Sequence, residues 1–117
     1  MLDVGGRAVS LRHLGRGHTG ADLVVAVDDV VFAGDLVEEG APPAMDDAFP
    51  LEWAATLTAL LAQTRGPVVP GHGAVVDAAF VAAQRDELAL LARWLTEPGS
   101  APAFDEQTRS VARERLS

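Results

Sequence analysis

Three short stretches, "GRGHTGAD" (15–22), "FAGD" (32–35) and "PGHG" (70–73), each set a histidine or an aspartate beside glycine. The residues are His18, Asp35 and His72. Imidazole nitrogen and carboxylate oxygen are the donors that bind zinc, and they also suit iron or manganese. Glycine lets the backbone turn tightly and lets bulky neighbours come close, at a cost in chain entropy. A single histidine at a turn, or a single aspartate after a strand, is ordinarily a turn or cap residue. Three of them at successive strand ends point instead to a shared ligand. His13 has no glycine beside it and is read as a non-ligand. The chain contains no cysteine, which removes disulfides and thiolate ligands, and its nine basic residues are all arginine, which removes Schiff-base and phosphate-loop lysine chemistry.

Elements able to position these residues can be read along the chain. "RAVSLRHL" (7–14) alternates as a strand entering the His18 loop. "LVVAV" (23–27) and "VVFAG" (30–34) read as a hairpin around Asp28 and Asp29, and their near-continuous apolarity predicts strands covered on both faces. Asp35 then follows the third strand. Leu36 to Phe49 is acidic and proline-rich and reads as a long loop. Its carboxylates, from Glu38 to Asp47, could border a substrate entrance but lack the glycine frame of Asp35 and are not counted as ligands.

From Pro50 to about Gln63, Trp53, Leu57, Leu60 and Leu61 follow the spacing of an amphipathic helix, with Trp53 in its core stripe. "PVVPGHG" (67–73) is a short apolar strand that breaks at His72. Asp77 can cap a second helix carrying Phe80, Leu88, Leu91 and Leu95 on one face and stopping at Pro98-Gly99, with Arg85, Asp86 and Glu87 on a solvated face. Residues from Phe104 onward read as a short charged helix. The order strand, hairpin, helix, strand, helix is that of an α/β layer. A domain over 1–97 followed by a tail over 98–117 is the expected organisation.

At 117 residues, 49% of them hydrophobic, the chain has the size and composition of one globular domain. A formal charge of −8 argues against nucleic acid or an anionic membrane as partner, because a phosphate surface calls for a basic face. The sequence shows neither a basic-then-apolar leader nor a bilayer-length apolar run, and the expectation is a cytoplasmic protein.

"GRGHTGADLVVAVDDVVFAGDLV", followed at a distance by "VVPGHG", resembles the C-terminal half of the metallo-β-lactamase superfamily, especially its glyoxalase II-like hydrolases. The likeness covers roughly residues 7–95. It implies half of an αββα sandwich: a mainly antiparallel or mixed sheet with covering helices. It also implies metal roles: His18 completes the ligands of a first metal, Asp35 bridges two metals and His72 completes the second. Thr19 and Asp22 hydrogen-bond the loop and orient a metal-bound imidazole, as the outer partners of metal ligands do. The implied cofactor is Zn2+, one or two ions in the complete fold, with Fe or Mn as alternatives. The implied reaction is hydrolysis of an ester, thioester or lactam-type carbonyl of a small molecule by metal-bound hydroxide.

The family also carries a His-x-His-x-Asp-His cluster in its N-terminal half, and no such cluster occurs here. The expectation is a truncated fragment, inactive alone, with Met1 lying close upstream of the first matched strand and the missing half encoded further upstream. A lone half would expose the apolar inner face of its sheet. That face could pair with a complementing N-terminal half, or with a second copy in a non-catalytic homodimer.

Overall fold

A computed structural model describes residues 2–97, 99–100 and 102–116, leaving aside the side chains of 2–4. Met1 and Pro98, to which the sequence reading assigned a start and part of a helix stop, lie outside the described residues. Five strands form one mixed sheet in chain order: β1 (Leu2–Val4), β2 (Arg7–Arg12), β3 (Val24–Val27), β4 (Val30–Glu38) and β5 (Val68–His72). The first four pair antiparallel, and β5 adds to β4 in parallel. A parallel neighbour requires a crossover, and α1 (Trp53–Gln63) provides it. α2 (Ala78–Thr96) and α3 (Glu106–Glu114) follow.

Several boundaries differ from the sequence reading. The pair β1–β2 was not foreseen, and it closes through Gly5-Gly6. β2 ends at Arg12 instead of Leu14, because the Gly15–Gly20 stretch already turns away toward α1. The expected Asp28-Asp29 hairpin forms, with Asp28 itself at φ 52°. The expected loop from Leu36 begins later, since β4 continues through Asp35, Leu36 and Val37 to Glu38. α1 begins at Trp53, after a turn over 50–52 in which the Trp53 N–H donates to the Phe49 carbonyl at 3.0 Å.

Alternation puts Val24, Val31, Ala33, Val68 and Pro70 on one face of the sheet, and α1 and α2 share a buried core with that face. Trp53, Leu57, Leu60, Val81, Leu88 and Leu91 are fully buried there. Phe80, Leu61 and Leu95 pack at the margin of this core. α2 starts on an Asp77 cap, whose carboxylate accepts from the Phe80 N–H at 2.9 Å. α3 is capped by Asp105 in the same way and buries Ala112. Just beyond it, Arg115 Nε donates to the Ala48 carbonyl at 2.9 Å, fastening this end of the chain to the proline-rich loop.

The opposite face of the sheet is open, contrary to the expectation of strands covered on both sides. Leu11 pairs with Val25, Val25 with Phe32 and Phe32 with Val69, so these four share one face in a row across the strands. Leu11 is 52% and Phe32 43% exposed. Among the described residues, no helix is long and apolar enough to cross a membrane.

Candidate metal centre

The three residues singled out by their glycine neighbours lie at one end of the sheet. His18 comes from the β2–β3 connection, Asp35 from within β4, and His72 from the last position of β5. Asp35 stands in the middle. Its Oδ1 is 3.0 Å from His72 Nδ1 and its Oδ2 is 3.9 Å from His18 Nδ1. Each carboxylate oxygen therefore faces a different imidazole. His18 and Asp35 are partly sheltered, with side-chain exposures of 23% and 32%, whereas His72 is open at 77%.

The local chain explains this convergence. Gly34 has φ 57°, in the left-handed region that glycine adopts without strain, and the β4–β5 register shifts on both sides of it. Such an irregularity re-aims side chains and is frequent beside active sites. On the neighbouring strand, a Cβ at Gly71 would run into the Asp35 carboxylate and the Gly34 backbone. Glycine at 71 is what allows Asp35 and His72 to meet. Glu39 fixes the turn after β5: its N–H donates to the His72 carbonyl at 3.3 Å, and its carboxylate accepts from the Ala74 N–H at 3.0 Å.

The His18 loop is pinned to α1. The Trp53 indole donates to the Leu36 carbonyl at 3.0 Å, and the Thr56 hydroxyl donates to the Arg16 carbonyl at 2.7 Å. The His18 ring meets the Trp53 ring edge-on, with centroids 6.1 Å apart. Asp22 accepts from the Thr19 N–H at 2.8 Å and from the Thr19 hydroxyl at 3.1 Å, and Thr19 Oγ1 in turn accepts from the Ala21 N–H. Asp22 Oδ1 stands 3.8 Å from His18 Nδ1, beyond a hydrogen bond. Thr19 and Asp22 thus shape the loop directly, and of the two Asp22 approaches the imidazole, without hydrogen-bonding it. The His13 ring, exposed, bonds the Gly20 carbonyl at 3.1 Å across the same loop.

Sequence reasoning passed over Glu38. The structure brings Glu38, Asp35 and His72 together, with one donor atom of each within 4.8 Å of the others. Glu38 is the direct register partner of His72 in the β4–β5 ladder. Burial pushes the Glu38 carboxyl above the usual carboxylate range, and the neighbouring Asp35 charge adds to this; the Ala44 N–H and the two imidazoles oppose it. Two carboxylates beside an imidazole are a donor set that a divalent cation fits.

Solved structures with this architecture include metallo-β-lactamases. A metallo-β-lactamase from Pontibacter korlensis superposes with a TM-score of 0.66 at 24% identity, over 73% of this chain and 44% of that one. This is part of a metallo-β-lactamase fold. VMB-1 gives 0.63 at 28% identity over 72% of this chain and 41% of its own. FIM-1 from Pseudomonas aeruginosa, a metallo-β-lactamase in its mono-zinc form, gives 0.60 at 17% identity over 77% and 47%. The chain thus spans less than half the length of the metallo-β-lactamase structures it matches. No protein-family model and no curated relative matches the sequence, so the likeness rests on the fold. At that level the chain shares part of the metallo-β-lactamase fold.

Proposed function

We propose that this chain is the C-terminal half of a glyoxalase II-like metallo-hydrolase, completed by a segment that carries the His-x-His-x-Asp-His cluster. The observation that carries this reading is Asp35, with one oxygen toward His18 and the other toward His72. A bridging carboxylate between two metal positions calls for that arrangement. His18, Asp35 and His72 would hold the metal, zinc being the first choice for this donor set. When bound, a divalent ion acidifies water and polarises a carbonyl oxygen. The chain's own residues supply position: Thr56 ties the His18 loop to α1, Trp53 holds β4 at Leu36 beside Asp35, the Gly34 irregularity aims Asp35, and Glu39 holds the turn after His72. The substrate class is a small molecule with an ester, thioester or lactam-type carbonyl.

The open row Leu11, Val25, Phe32 and Val69 supports the need for a second layer, because an apolar sheet face of this kind is stable only when covered. The test is complementation. The sequence encoded upstream is read for the cluster, and that segment is co-expressed with this chain. We expect a one-to-one complex that hydrolyses a chromogenic thioester, with activity abolished by His72→Ala or Asp35→Asn. Absence of any cluster upstream, or an inactive complex, would count against the reading.

The same row supports a second reading, in which two copies cover each other's sheets without catalysis. A metal-free, stable homodimer is its signature.

A further inference from the structure

We infer that Glu38 is a metal ligand, and that Asp35, Glu38 and His72 together form a single-cation site that this chain holds without a second half. The inference rests on the metal-site reading of Asp35 and His72 and adds a donor outside that set. In a regular strand, residues 35 and 38 would point to opposite faces. Here Leu36 and Val37 are both fully buried, so alternation fails between them. The ladder is irregular between Gly34 and Glu38, where four steps along β4 run against two along β5, and across this bulge Asp35 and Glu38 come to the same side. β5 then delivers His72 opposite Glu38, in register. Three donor atoms from two adjacent strands consequently lie within 4.8 Å of one another.

Donors around a tetrahedral ion at about 2.1 Å stand about 3.4 Å apart, so an adjustment of roughly an ångström closes the set. Asp35 and His72 already stand at 3.0 Å, and the adjustment falls to Glu38, whose side chain is the longest of the three. Its backbone is fixed meanwhile, the Glu38 N–H donating to Gln84 Oε1 of α2 at 3.3 Å. His18 lies outside this group and remains available to a second metal position. Three protein donors leave an open coordination position, as a catalytic site requires.

The test is calorimetric titration of the full chain with Zn2+ alone, for the wild type and for Glu38→Gln, Glu38→Asp, His72→Ala and His18→Ala, each checked for folding by circular dichroism. The expected results are one ion per chain, a loss of affinity of roughly tenfold or more in Glu38→Gln, partial recovery in Glu38→Asp, no binding in His72→Ala and wild-type affinity in His18→Ala. Glu38→Gln binding as tightly as wild type, while His72→Ala binds nothing, would overturn the role of Glu38 and leave the Asp35–His72 reading standing. A wild-type chain that takes up no zinc would overturn the self-contained site, and complementation then decides the broader reading on its own.

Discussion

At the scale of single residues, the site's tension is concentrated at Glu38. A carboxyl whose pKa is raised in the folded chain is disfavoured there in its charged form. Its contribution to stability is therefore present below the unfolded value of 4.5 and lost as pH rises through the higher folded pKa. Glu38→Gln is expected to raise the melting temperature of the metal-free chain at pH 7 and to flatten its pH dependence above pH 4.5, as thermal denaturation across pH will read. A residue that costs stability without metal and binds metal fits the trade between stability and function. Trp53 acts in the opposite sense. Trp53→Phe leaves the buried Leu36 carbonyl without its indole donor and should cost about 1–3 kcal/mol in urea denaturation. Because Leu36 follows Asp35, the same variant should weaken zinc binding.

At the scale of elements, the site depends on strands approaching more closely than ordinary side chains permit. Gly71→Ala forces a methyl group against Asp35 and the Gly34 backbone and should cost about 1–3 kcal/mol, read by denaturant unfolding. Removing the Asp77 cap of α2 should cost about 1 kcal/mol while leaving zinc affinity unchanged, since the cap lies at the helix start and away from the ligands. These elements also show what the sequence could reveal. His18, Asp35 and His72 stood out because each sits beside glycine, and the α1 and α2 stripes because their apolar spacing matches a helix. Glu38 was hidden because the bulge in β4 breaks the period of two that strand reading relies on, turning an apparent loop residue into a strand residue facing the site. The β1–β2 pair was missed because β1 spans three residues, too few to display alternation. The extent of β4 was misjudged because Asp35, polar and next to glycine, looks like a strand end although pairing continues past it.

At the scale of the whole molecule, one face of the sheet is packed and the other is not. Val31, Ala33 and Val68 share a buried core with the helices, while Leu11, Val25, Phe32 and Val69 form an apolar row with no covering layer among the described residues. The chain on its own is expected to self-associate through this row, and sedimentation velocity will show whether Phe32→Asp returns it to a monomer. The net charge of −8 opposes non-specific association between copies. The central claim, that Asp35, Glu38 and His72 of two adjacent strands converge on a cation, can be tested directly because the chain has only three histidines. Nitrogen-15 imidazole spectra therefore contain His13, His18 and His72 alone, and they can be followed during titration with Zn2+. The account predicts that His72 shifts in step with one equivalent of metal while His13, turned to the Gly20 carbonyl, stays where it is. A His72 resonance that ignores zinc, or three imidazoles shifting together without saturation, would contradict it.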